Sequence, residues 1–291
     1  MQFLQLVISG IAQGCIYGLI ALGFVLIYKA TETVSFAQGE LMMLGAFCGL
    51  AAMSMLGFPF WLAVLSAIAA MAVFGVVLER LVIRPILGQP AFSIVMLTIG
   101  IGYVARGLVT MIPGIGTETH ALEVPYRNVT WNIGSLVLSA EQMVVIAVTA
   151  VLCAALFAMF RYSKLGIAMQ ASSQNQLAAY YMGIPVKRVQ GMIWGLAGAV
   201  ACVAGILFAS KGAIDPNAGL LGIKAFAAAV IGGFGSLPGA LAGGLIVGVI
   251  EPFAARYLAA GYSQIAPYAL LLAVLIFRPH GLFSQVRSKK V

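Results

Sequence analysis

The sequence predicts an all-α integral membrane protein: one polytopic helical bundle of about eight or nine transmembrane helices, with room for broken or re-entrant ones. Three observations carry that prediction. The chain is 62% hydrophobic and 8% charged, where a soluble domain carries about 25% charged residues. Apolar runs of about twenty residues, the length that crosses a bilayer, recur along it. Its 34 glycines are the small residues that let membrane helices pack closely. Residues 1–291 read as a single transmembrane domain, with no soluble catalytic domain among them.

The first apolar run, residues 3–28, follows an N-terminus without a basic region and is too long for a signal-peptide core, so it reads as a retained span. Gly10, Gly14 and Gly18 recur every fourth residue and, with Gly23, mark a tight packing face. After the polar residues 29–40, a second apolar run covers 41–56. Glu40 opens it and has two readings: a carboxylate favoured by a helix N-terminus, or a functional intramembrane charge. The third run, 58–82, ends in a basic cluster with Arg80 and Arg84. Residues 91–112 form the fourth, with Arg106 near its far end, where it is expected to snorkel to the interface.

Residues 113–141 are polar, carry Glu118, Glu123 and Glu141 against the single base Arg127, and read as an extracytoplasmic loop with Trp131 at the interface. The fifth span is 142–160. Residues 161–190 then form the longest markedly polar interruption, basic at both ends and without an acid. Within it Ser173 and Gln176 spell a capping box, and Gly183 with Pro185 spells a stop. The expected product is a helix of roughly nine residues, about 14 Å long. The sixth span is 191–210.

Residues 223–251 are too long for one comfortable span and are interrupted at 232–239 by glycines, Ser236 and Pro238. Two readings stand there. Broken backbone at membrane depth marks a pathway element; a tight turn at the membrane surface joins two ordinary helices. The last apolar run is 262–277, and the tail after it is basic. Basic residues near span ends face the cytoplasm, so the regions around Arg80 and Arg84, residues 161–190 and the C-terminus are expected inside, and 113–141 outside. The net charge of +8 is thereby a matter of membrane orientation, with no nucleic-acid partner implied. Cys15, Cys48, Cys153 and Cys202 lie in apolar runs without metal-ligand spacing and read as small packing residues.

No P-loop, H-E-x-x-H or G-x-S-x-G pattern occurs, and the sole aspartate, Asp215, lies in a loop. The expectation is a non-enzyme with no catalytic residue, cofactor or metal. Few intramembrane charges (Glu40, Glu251, Lys224) make a poor set for an ion-coupled carrier. A basic-side helix of docking size favours a membrane subunit energised by a partner; a self-contained channel or facilitator for a small solute such as urea or an amide is the alternative.

Three stretches carry a resemblance: GIAQGCIYGLIALGFVLIY with VSFAQGELMMLGAF, then QASSQNQLAAYYMGIPVKRVQGMIWGLAGAVACVAGIL, then GLLGIKAFAAAVIGGFGSLPGALAGGLIVG. In order and spacing the chain resembles the LivH family, permease subunits of branched-chain amino acid ABC importers. The family's usual Asn and His are replaced here by Ser35 and Gln38, and its usual Arg by Gln170. The resemblance implies a second, LivM-like permease subunit, two cytoplasmic ATP-binding subunits, an external substrate-binding protein, and a place in the cell inner membrane. It also implies an ATPase-coupling helix carrying Ala171, Asn175, Ala179, Gly183 and Ile184, with Ala179 allowing close approach to the ATPase. Phe36, Gln38 and Glu40, together with Gly233, Gly235 and Ser236 at the glycine-rich break, are the candidates to line the translocation path.

Overall fold

A computed structural model describes residues 2–116, 118–133, 136–259 and 261–283; the basic tail residues Arg287, Lys289 and Lys290 lie outside them. In chain order the helices are α1 (Gln2–Thr31), α2 (Gln38–Ser54), α3 (Phe60–Leu78), α4 (Ala91–Thr110), α5 (Ala140–Tyr162), α6 (Lys164–Gln174), α7 (Gln176–Tyr181), α8 (Val186–Lys211), α9 (Leu221–Gly232), α10 (Leu237–Tyr257) and α11 (Tyr262–Phe277). A π turn, Glu79–Ile83, prolongs α3. Six of these helices, α1, α3, α4, α5, α8 and α10, are long and apolar enough to cross a bilayer, and shorter apolar helices supplement them. The chain is a multi-pass membrane protein. Among the described residues, sheet is confined to two ladders in the loops: β1 (His120–Ala121) with β4 (Ala213–Ile214), and β2 (Thr130–Ile133) with β3 (Leu136–Ser139).

The centre of the bundle is α1, which packs lengthwise and antiparallel on α10. The four-residue glycine repeat read from the sequence is the reason. A Cβ on Gly14 would sit 2.7 Å from the Leu245 Cα, and one on Gly248 would sit 2.1 Å from the Gly14 Cα. Only hydrogen at these positions lets the two backbones touch, which replaces side-chain interdigitation with direct dispersion contact. On the other side of the bundle α8 packs antiparallel on α3, with Gly75 against Trp194 and Gly198 against Met71.

Two ends of the bundle follow from cross-chain contacts. The Gln190 side chain at the start of α8 and the Gln176 side chain of α7 both donate to the Ala30 carbonyl near the end of α1, at 3.4 and 3.3 Å. This end carries residues 161–190 and is the basic end. Pairing of β1 with β4 joins the acidic 113–141 segment to the loop after α8, which defines the acidic end.

Neither α2 nor α9 begins at an end. Gln38, the first residue of α2, lies against Gly23 of α1, eight residues before the end of α1, or about 12 Å below it at 1.5 Å per residue. Residues 32–37 therefore re-enter the bundle as irregular chain, which the bilayer tolerates where protein buries it. From the acidic end, Ala218–Leu220 do the same in a 3-10 turn before α9. The two half-helices meet start to start: a Cβ on Gly222 would fall 2.6 Å from the Gly39 Cα, and one on Gly39 would fall 2.2 Å from the Gly219 carbonyl oxygen.

The resulting order repeats. In α1–α4 a long helix, a re-entry, a half-helix and two further helices follow one another, and α8–α11 run through the same order with directions reversed. The long helices α1 and α8 are antiparallel: Ala30 meets Gln190 at one end, and the Lys211 ammonium donates to Gln13 Oε1 (3.0 Å) toward the other.

Candidate functional site

The region where the half-helices meet holds Phe36 and Glu40 packed between α2, α4 and α9. The Phe36 backbone N–H donates to Thr98 Oγ1 on α4 (3.1 Å), and Glu40 lies over Gly102 one turn further along. The Phe36 ring meets Phe226 of α9 at 5.1 Å between centroids. Phe226 in turn meets Phe234 at 5.6 Å, and Phe234 meets Tyr28 at 5.1 Å. A ladder of half-buried aromatic rings thus runs from the basic end to the half-helix crossing, and each contact lies within the range where ring pairs attract.

Arg106 does not snorkel outward, as its position near the end of α4 predicts. Its Nη2 donates to Glu40 Oε1 in an ion pair whose side chains are 19% and 13% exposed. A lone charge at this depth costs several kcal/mol, and the carboxylate three residues into α2 supplies the partner. Gln38 also departs from its assignment. It is fully buried between α1 and α8, donating from Nε2 to the Ala197 carbonyl (3.3 Å). It belongs to the interior rather than to this site.

Gly233, Gly235 and Ser236 form the turn of a helical hairpin, since Ala228 of α9 faces Gly243 of α10 and Gly232 faces Gly239. The hairpin turns at the basic end, beside Tyr28, so the tight-turn reading of the break holds and the mid-depth discontinuities lie elsewhere, at 32–37 and 218–220. Gly233 takes φ +97° to end α9. Ser236 Oγ accepts from the Gly239 N–H (3.1 Å) to start α10. Gly235 lines a cleft of about 580 Å³ with Phe234, Gln170, Ser173 and Gln174, which joins the hairpin to the polar 161–190 segment.

That segment is two helices, not one. Ser163 Oγ accepts from the Gly166 N–H (3.0 Å) and starts α6. The Ser173–Gln176 capping box does not form: Ser173 Oγ donates to the Gln170 carbonyl (2.9 Å) inside α6, and Gln176 reaches Ala30 instead. Asn175, extended at φ −158°, caps α7 by accepting from the Ala178 N–H (3.0 Å). At the far end the Gly183 N–H donates to the Tyr180 carbonyl and the Ile184 N–H to the Ala179 carbonyl, both at 3.0 Å, with Gly183 at φ +82°. This is a Schellman closure. The Ala171 carbonyl accepts from the Asn175 N–H at 3.2 Å, closing α6.

All five candidate coupling residues therefore build the ends of α6 and α7. Ala179, expected to give close approach to a partner, is 4% exposed and faces its own chain. The outward face is Leu177, Tyr180, Tyr181 and Met182, the last 83% exposed.

Two further ion pairs sit within the bundle. Arg84 grips the fully buried Glu79 through Nε and Nη2, at 3.0 and 2.6 Å, and also donates to the Lys187 carbonyl (3.0 Å). Lys224 pairs with Glu251, whose second oxygen accepts from the Tyr17 hydroxyl (2.6 Å). Phe226 and Phe234 lie in the last of the stretches that carry the family resemblance without standing out in it; Arg106 has no local motif, and its sequence signal is its presence inside an apolar run.

A multi-pass helical bundle with paired re-entrant half-helices and a capped polar segment at its basic end has the form of a transport permease. Residues 6–276 match the family described as branched-chain amino acid transport system / permease component, and the chain belongs to that family. It is 33% identical to the high-affinity branched-chain amino acid transport system permease protein LivH of Salmonella typhimurium, over 100% of this chain and 98% of that one. It is 31% identical to the corresponding protein BraD of Pseudomonas aeruginosa, with the same coverage. A probable LivH of Methanocaldococcus jannaschii is 30% identical over 91% of this chain and 87% of that one.

Proposed function

We propose that the chain is the permease subunit of an ATP-driven importer for branched-chain amino acids, or related hydrophobic or small ones. It works with a second, related permease, two cytoplasmic ATP-binding subunits and an external substrate-binding protein. The observation that carries this reading is the match to the permease family over nearly the whole chain. The basic end faces the cytoplasm, supported by the clustering of Arg161, Lys164, Lys187 and Arg188 there, and the C-terminus lies on that side of the inner membrane.

On this reading α6 and α7 take up the ATPase's movement. Ala171, Asn175, Ala179, Gly183 and Ile184 fix the shape of the segment, and Leu177, Tyr180, Tyr181 and Met182 are the surface offered to the ATPase. An exposed apolar cluster on the water side of a membrane protein needs a partner to cover it. Phe36 and Glu40 line the path between the two permeases, and Gly233, Gly235 and Ser236 close its cytoplasmic end.

The test is reconstitution of the complete assembly in vesicles. ATP-dependent leucine uptake is expected, and Gly183→Leu, which forces a branched side chain into positive φ, is expected to leave ATP hydrolysis while lowering uptake at least tenfold. Passage of solute through the chain alone, without ATP or partners, would overturn the proposal in favour of a facilitator.

A further inference from the structure

The three ion pairs described above differ in how completely they are satisfied. Glu79 has both oxygens held by Arg84, and Glu251 has one held by Lys224 and the other by Tyr17. The Glu40–Arg106 pair is joined by a single hydrogen bond, leaving Glu40 Oε2 and Arg106 Nε buried without a partner. Buried polar atoms are almost always paired, and here one ion pair leaves both an acceptor and a donor unused.

The surroundings keep this departure open. Gly219 faces the carboxylate so closely that a Cβ there would lie 2.2 Å from Oε2, and Gly102 gives way on the other side. The first residues of α2 and α9 both lie beside Glu40. The aromatic ladder begins at Phe36, one turn away.

We propose that this site handles an amphipathic zwitterion in transit: Arg106 takes its carboxylate, Glu40 takes its ammonium, and Phe36 and Phe226 carry its apolar side chain. The inference rests on the importer reading above and assigns that reading's substrate to particular atoms. A zwitterion exchanges with the resident ion pair, carboxylate for carboxylate and ammonium for guanidinium. Each charge keeps an opposite charge beside it throughout, so no bare ion is left in the low-dielectric interior. The apolar side chain then slides along ring faces from Phe36 past Phe226 to Phe234, without trading one specific contact for another.

Glu40 and Arg106 also tie α4 to α2, so the experiment must separate recognition from tethering. The complete assembly is reconstituted with its binding protein, and uptake of labelled leucine and alanine is measured alongside ATP hydrolysis for wild type, E40Q, R106Q, E40Q/R106Q and F226A. The double variant keeps a neutral hydrogen bond between the helices. The expected result is at least a tenfold loss of uptake per ATP in all three amide variants, with assembly and stimulated ATP hydrolysis retained. F226A should lower leucine uptake several-fold more than alanine uptake. Wild-type uptake by E40Q/R106Q overturns the proposal, as does a loss of uptake that only follows lost assembly and ATP hydrolysis. A wild-type assembly that imports no amino acid under ATP instead overturns the importer reading itself, before any variant is compared.

Discussion

Gly39→Ala isolates the crossing of the half-helices. Gly39 and Gly49 sit ten residues apart on the same helix, α2, so intrinsic helix propensity treats them alike. Replacing a helical glycine by alanine stabilises by about 0.5–1 kcal/mol when nothing obstructs the methyl group. At Gly49 the new Cβ would meet only Ile206, at 3.4 Å, an ordinary contact. At Gly39 it would lie 2.2 Å from the Gly219 carbonyl oxygen and 2.8 Å from the Gly222 Cα. Backbone on that side cannot rotate away as a side chain can, so α9 must shift, and forced overpacking costs about 1–3 kcal/mol. At about 2–4 °C per kcal/mol, G39A should melt about 2–12 °C lower than wild type and G49A at or slightly above it. Thermal unfolding of the detergent-purified protein, followed by loss of the monodisperse peak, reads both. Equal melting of the two variants, or a larger loss in G49A, would refute the meeting of α2 and α9 start to start.

At the polar segment, Asn175→Ala removes the α7 cap and should cost about 1 kcal/mol, seen as faster amide exchange at Ala178 and its neighbours, while Ser173→Ala leaves that exchange unchanged; the opposite order would restore the capping box. At the end of α3, Arg84→Gln strands the buried Glu79 carboxylate and should destabilise by about 3–5 kcal/mol. The double variant E79Q/R84Q should recover most of that loss in the same melt, and a double variant as unstable as R84Q would show that the pair's charge is irrelevant.

The spans were legible because a bilayer demands about twenty apolar residues and the chain supplies them in blocks. The interruption at 232–239 was legible because glycine and proline stop helices locally, but whether it was a turn or a mid-depth break was not. Depth was not legible. The same apolar letters serve whether α2 starts at the surface or 12 Å below it, and only packing of Gln38 on Gly23 and of Gly39 on Gly222 decides. Nor was the partner of Glu40 readable, since Arg106 lies 66 residues away and its place near a helix end invited the snorkelling assignment. At the α7 cap two local signals competed one residue pair apart. Asn175 prevailed because α6 continues through Ser173 and Gln174, which leaves Ser173 in helical backbone where its hydroxyl bonds back to Gln170. The five residues assigned to coupling are seen here only as architecture: four of them cap or close α7, and the exposed surface between them, Leu177 and Tyr180–Met182, has no sequence signature beyond being apolar in a polar loop.

The inverted repeat explains why one charge pair is left half-satisfied and its counterpart is not. Glu40 is the third residue of α2 and Lys224 the fourth of α9, so the two half-helices start with charges of opposite sign. A helix start carries roughly half a positive charge. For Glu40 that field is favourable, and it adds to the Arg106 guanidinium in offsetting the cost of burying the carboxylate. For Lys224 the same field is adverse, and the ammonium needs a full carboxylate. Glu251 provides it, and is itself held by Tyr17 from α1. Reversal of direction between the repeats thus keeps the backbone geometry and inverts the electrostatic demand. At one half-helix both oxygens of the partner carboxylate are held; at the other, Glu40 Oε2 stays unpaired against Gly219.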